Sequence, residues 1–230
     1  MFSHYIFTRF NQLDDHTNIY NNPAITFPDE WMEHRMKLFD EITLPSVMCQ
    51  TCRDFTWLLS FSQATPIHIL RKYRGFPNVH IIFEYPRTYL RKMLKNRKEW
   101  IITSRLDNDD SIAPEYIELV QSRFNESFLL VDTDGVQRDL ATGKEYTPDR
   151  RGNNSPFISL IEHTGVNWMS ISDDPNEKRL ITEPVKTVYF CSHTKMEWHF
   201  PSVKIPRRLY KMIIHDRNVS NKITGDEILP

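Results

Sequence analysis

The chain has 230 residues, a formal net charge of −1, 40% hydrophobic and 26% charged residues, which excludes a disordered charged tail and argues against a protein that coats nucleic acid. Three cysteines, Cys49, Cys52 and Cys191, do not make a disulfide framework, and the single Cys-x-x-Cys lacks the second pair of a zinc site. No run reaches the roughly 18 apolar residues of a membrane span, and the N-terminus shows no basic-then-apolar leader, so the expected location is cytoplasmic.

Apolar alternation and helix punctuation predict the elements in order. His4–Phe10 reads as a buried strand and Asn11–Pro28 as a polar loop. Asp29 and Glu30 open a helix with acids at its positive end, continued by Trp31, Arg35, Leu38 and Phe39. Pro45 suits the first turn of a second short helix. Phe55–Phe61, Val79–Phe83 and Trp100–Leu106 are strand candidates, separated by helices over Pro66–Tyr73 and Tyr89–Lys98. A helix over Pro114–Phe124 and a strand over Phe128–Val131 follow. Then come a hairpin around Ala141–Gly143, a short helix or turn over Phe157–His163, weak strands in 165–200 including Val185–Cys191, and a helix over Arg207–Asp216. Strands alternating with helices predict an α/β fold, with a mostly parallel central sheet and helices on both faces.

One stretch organises the chain. Leu106 is followed by Asp107, Asn108, Asp109 and Asp110, then by Ser111–Pro114. Strand, acidic loop and helix in that order set carboxylates on an exposed loop at a rigid strand end. In an extended segment Asp107 and Asp109 share a face. Two such carboxylates suit a hard cation, Mn2+ or Mg2+, that also holds phosphate oxygens. The following helix start offers free backbone N–H groups. The bland alternative is a solvated turn with caps. An EF-hand loop lacks its glycine, since Ile112 stands at the sixth place. Neither a Gly-x-x-x-x-Gly-Lys-Ser/Thr loop nor a Gly-x-Gly-x-x-Gly turn occurs.

Leu106-Asp-Asn-Asp-Asp110 with Ser-Ile-Ala-Pro-Glu-Tyr-Ile resembles the Asp-x-Asp-Asp segment of GT-A glycosyltransferases. Thr8–Asn11, Trp31-x-x-x-Arg35-x-x-Leu-Phe39, Thr43–Ser46, Gln50-Thr51, Asp54–Trp57, Ser104–Asp110 and Asn154–Phe157 to Glu162 resemble one subset, the rhamnosyltransferase family. The resemblance covers most of residues 4–200. It implies a GT-A-like single domain over 1–230. Residues 1–131 would form the nucleotide-sugar-binding half, and 132–230 a smaller acceptor-side half with a C-terminal helix. It implies a UDP-, dTDP- or GDP-linked donor at the C-terminal edge of the sheet. The sugar, rhamnose by the family's name, would pass to a saccharide, lipid-linked or other hydroxyl acceptor.

By the motif match, Asp109 is the direct metal ligand, Asp107 faces the ribose or the metal, and Asp110 supports the donor site. Arg9 would lie near the nucleotide, and Arg105 would pair with the donor phosphates or brace the acids. His193 is the expected third metal ligand, with His199 next. Many related enzymes carry an acid after the first strands. Here Ser60-Phe-Ser62-Gln63 stands there, so the base must be read by Ser, Gln, backbone groups or another segment. Glu162, Asp132 and Asp134 are candidate catalytic bases for deprotonating an acceptor hydroxyl. The basic stretch Arg87–Lys98 is read as a solvated face rather than a nucleic-acid site. A catalytically silent nucleotide-sugar-binding module is the alternative function.

Overall fold

Alternation along the first strand sets up both faces of the sheet. In β1 (Phe2–Arg9), Tyr5 and Phe7 go to one hydrophobic cluster, while Ile6 and the following Phe10 go to another. The computed structural model describes residues 1–12, 29–150, 154–166, 168–171, 180–183, 185–218 and 222–229. Most of the polar loop expected at Asn11–Pro28, and part of the weak strands expected in 165–200, lie outside them.

The chain continues through α1 (Asp29–Leu38), a π-helical turn (Phe39–Thr43) and α2 (Leu44–Met48) into β2 (Thr56–Ser60). Next come α3 (Ile67–Arg74), β3 (Val79–Ile82), α4 (Pro86–Met93), β4 (Trp100–Arg105), β5 (Ser111–Ile112) and α5 (Tyr116–Gln121). The rest is β6 (Leu129–Asp139), β7 (Glu145–Tyr146), β8 (Ser159–His163), β9 (Trp168–Ile171), β10 (Leu180–Glu183), a 3-10 turn (His193–Trp198) and β11 (Ser202–Ile214).

Among the described residues one sheet has the order β3-β2-β1-β4-β8-β6-β11-β5, with β7 beside β6. β3, β2, β1, β4, β6 and β11 run one way; β5, β7 and β8 run against them. The chain leaves β1 for β2 on one side and returns at β4 on the other. The crevice between β1 and β4 is therefore a topological switch point, where open α/β sheets bind ligands at their strand C-termini. On one face α1, α2, α3 and α5 pack through Met32, Val47, Tyr73 and Ile117; on the other, α4 and the segment 185–200 pack through Leu90, Val188 and Phe200. Trp57, fully buried, donates its indole N–H to Thr8 Oγ1 at 3.0 Å, which pins β2 to β1.

Four expected elements differ. Arg207–Asp216 is not a helix: β11 occupies it, paired with β6 and β5. Its register shifts between Ile205 and Tyr210 disrupt the period-two pattern that would mark it as a strand. Gly135 of β6 admits this approach, because a Cβ there would lie 2.5 Å from the Tyr210 ring. Phe157–His163 contains β8, a strand buried between β4 and β6. Val185–Cys191 is a buried turn segment rather than a strand, with Thr187 at φ 62°. The helix expected at Pro114 starts at Tyr116, since Ser111 and Ile112 pair with β11. The basic α4 is also not uniformly solvated: Arg87 is buried over Phe190, and Arg91 Nε donates to Val185 O at 2.9 Å.

Candidate active site

Arg9 ends β1 and Arg105 ends β4, so both stand at the switch point. Each shares its strand's odd positions with Tyr5, Phe7 or Ile101, which face the α4 side. The Arg9 guanidinium lies 5.2 Å from the Tyr189 ring centre and 5.9 Å from Tyr85. Arg105 lies 6.0 Å from Tyr189. Tyrosine faces hold such cations in place. Arg105 Nε and Nη2 donate to Asp107 Oδ1 and Oδ2 at 3.2 and 2.7 Å. The two side chains keep 19% and 29% of their surface exposed, so the pair stands at the mouth of the crevice. Burial pushes the Asp107 carboxyl up, but Arg105, then Arg9 and His193, hold it below the usual carboxylate range. Burial, aided by Arg105, pushes the His193 imidazole down to about 4, so it is neutral at pH 7. The structure thus brings Arg9, Arg105, Asp107 and His193 together.

Asp109 faces different partners. The backbone turns at the motif, with Asp110 N–H directed at Asp107 O, 3.5 Å away, so the extended geometry that would put both acids on one face is lost. Asp109 is 5% exposed and ion-paired with Arg35 of α1. His215 Nε2 lies 3.1 Å from Asp109 Oδ2, and Asn218 Nδ2 3.5 Å from it. Arg35 also donates to Asn108 Oδ1 at 3.1 Å, and Asn108 Nδ2 donates to Phe10 O at 2.7 Å. Arg35 lies on the apolar stripe of α1 with Met32 and Leu38. A charge on a core-facing stripe needs a buried counter-charge, and this signal in the sequence points to Arg35. His215 has no such signal.

Asp110 is not a donor contact. It is 1% exposed, and its Oδ1 accepts the Ile213 N–H at 2.7 Å, fixing β11 to the loop. Burial and the neighbouring Asp109 and Asp107 push its pKa well up. Glu162 is not placed for catalysis either. It is 1% exposed, opposite Ile101 and three residues back from the Ser104–Ser159 pair. Its oxygens accept the Lys186 and Thr187 N–H groups at 2.8 and 2.7 Å, and burial raises its pKa against those bonds. Its role is to seat the 185–191 segment on the sheet.

Asp134 lines a cavity of about 430 Å³ with Asp132, Arg150, Asn154, Glu197 and Lys204. It accepts from Arg150 and Lys204, each at 2.9 Å. Asp132 accepts from Arg150 Nη1 at 2.8 Å and from the Ser155 N–H at 3.0 Å. Asn154, which lines this cavity, donates from Nδ2 to His193 O at 3.3 Å, so the cavity adjoins the arginine crevice. A second cavity of about 440 Å³ lies at the ends of β1 and β2, lined by Asn11, Ser62 and Thr65 together with Met32, Met36 and Ile69.

Asp107, Asp109 and His193 do not converge as one metal-ligand set. Asp107 is held by arginine on one side of the loop and Asp109 by Arg35 and His215 on the other. Among the described residues, the three donors within 4.8 Å of one another are those of His34, His215 and Asp216. No helix of the described residues is long and apolar enough to cross a membrane.

Solved structures similar to this chain include S. aureus TarS 1-349, at 12% identity and TM-score 0.48. The similarity covers 92% of this chain and 60% of that one, so the chain spans less than two thirds of its length. The same TarS fragment in complex with UDP gives 12% identity and TM-score 0.47, covering 92% and 60%. HddC from Yersinia pseudotuberculosis gives 12% identity and TM-score 0.40, covering 91% of this chain and 92% of that one. No curated protein matches. The model of the glycosyltransferase family described as "Putative rhamnosyl transferase" matches residues 2–227, and the chain belongs to that family.

Proposed function

We propose that the crevice between β1 and β4 receives the diphosphate of a nucleotide-sugar donor, and that the chain transfers the sugar, rhamnose in the family's name, to a hydroxyl acceptor. The observation that supports this most is the pair Arg9 and Arg105, backed by tyrosine rings at the switch point. Two fixed guanidiniums suit a diphosphate better than lysines, because their planar forks match phosphate oxygens. They also stabilise the charge that grows on the leaving nucleoside diphosphate as the glycosidic bond breaks. The nucleoside of a UDP-, dTDP- or GDP-linked donor extends toward the cavity at Asn11 and Ser62, whose lining mixes polar groups with Met32, Met36 and Ile69. The acceptor enters the cavity at Asp134, the proposed base. Where Mn2+ or Mg2+ accompanies the diphosphate, the partly exposed Asp107 would hold it by exchanging a hydrogen bond to Arg105 for the ion.

The test is calorimetric binding of UDP-, dTDP- and GDP-sugars, with and without Mn2+, to the native protein and to Arg105→Ala. Affinity for one donor falling roughly 10- to 100-fold in the variant, the scale of one charge-assisted pair, supports the site. Equal affinity in both proteins rejects it. The second reading, a binding module without turnover, draws on the engagement of Asp134 by two cations. Donor hydrolysis or transfer that is lost in Asp134→Asn, with donor binding kept, decides against it.

A further inference from the structure

We propose that His34, His215 and Asp216 form a binding site for a divalent transition-metal ion of the zinc type, separate from the arginine crevice. His34 Nε2 and His215 Nδ1 face each other 3.4 Å apart. Two nitrogens bound about 2.05 Å from a tetrahedral ion lie about 3.3 Å apart, so the rings already stand at ligand spacing. Donor atoms of all three residues lie within 4.8 Å of one another.

The environment of His215 is the second observation. Its side chain is only 2% exposed, and its Nε2 lies 3.1 Å from Asp109 Oδ2. The Arg217 N–H points to Nδ1 from 3.2 Å, which marks Nδ1 as the unprotonated nitrogen. The Nε2–H then donates to Asp109, with Asn218 Nδ2 3.2 Å away, and an ion bound at Nδ1 would displace the Arg217 N–H from the lone pair on the His34 side. A carboxylate behind an imidazole fixes the tautomer and raises its basicity as a ligand. The nearby cations do not block an ion: Arg35 is paired with Asp109, and the Arg217 guanidinium points to Glu30 O at 3.3 Å. Asp216 is exposed and supplies the anionic ligand at the surface. Two imidazoles and one carboxylate favour zinc-type ions over magnesium. Three protein ligands leave a tetrahedral ion one position for water or a substrate oxygen.

This site stands independently of the donor reading. It is tested on the full chain after chelator treatment, by titrating Zn2+ by calorimetry and Co2+ by visible absorption. The expected result is one ion per chain with a four-coordinate Co2+ spectrum. His34→Ala and Asp216→Asn should each weaken binding at least tenfold. Asp216 is exposed, so its variant should stay folded, and circular dichroism checks this. Absence of saturable binding by either ion, or unchanged affinity in both variants, overturns the proposal and leaves the ring pair as an N–H···N hydrogen bond. Donor binding measured on the same samples in excess chelator keeps the two readings distinguishable.

Discussion

Asp107 and Asp109 are two residues apart and live in different physical worlds. Asp107 stands half-open at a crevice mouth, held by Arg105 against tyrosine-backed cations. Asp109 is shut between α1 and the end of β11, with Arg35 and His215 around it. The contrast teaches that an acidic motif is not a single device. One carboxylate is placed where a ligand can compete for its partner; the other holds two distant elements together.

Removing Asp109 should give the largest effect. Asp109→Ala leaves Arg35 buried without its counter-charge, and loss of one partner of such a pair costs about 3–5 kcal/mol. Urea unfolding should show a lower midpoint, and restoration by Arg35→Met in the same chain would confirm the pair as the cause. Full stability in Asp109→Ala would erase the contrast. Acid should act more gently, and on the Asp107 side. His193 has its folded pKa lowered to about 4 from 6.5. The unfolded chain therefore binds more protons between those values, so His193 makes stability rise with pH from about 4 to 6.5 and has no further effect above that. His193→Gln should flatten this part of the stability profile; an unchanged profile contradicts the buried neutral ring. The smallest effect is expected for Asp107→Asn. A partly exposed pair contributes at most about 1 kcal/mol, so its unfolding midpoint should stay close to native. A loss as large as that of Asp109→Ala would mean that the two acids do the same work.

Local pattern reveals one side of this contrast and not the other. Trp100–Leu106 reads as a strand from its apolar run, and a strand end followed by acids places Arg105 and Asp107 without help from distant residues. Arg9 is legible in the same way, as the polar end of an aromatic strand. Asp109 is different, because its partners lie 74 and 106 residues away along the chain. His215 follows a segment whose irregular register hides its strand character, so the sequence suggests a helix there. Asp110 and Glu162 look like reactive acids in the sequence, yet their oxygens accept backbone N–H groups of Ile213, Lys186 and Thr187, which no spacing rule reveals. Several residues behind the family resemblance are anchors of the same kind. Gln50 bonds Ser46 O, Ala113 O and the Ile117 N–H, tying α2 to the segment after the acidic loop. Such side chains satisfy buried backbone groups that would otherwise be costly.

β11 also sets an order of assembly. It pairs with β6 along most of its length, meets Asp110 through Ile213, and leads directly into His215. The acidic loop is synthesised near the middle of the chain, yet its fastening waits for residues about a hundred positions later. Contacts of such long sequence separation form slowly, because the intervening chain must first be closed into a loop. A nascent chain stopped before residue 202 would have the strands β1 to β4 and the motif itself, but an unfastened Asp109 and Asp110. Competence at the switch point should therefore appear late in folding, with the docking of the last long strand rather than with the formation of the first four.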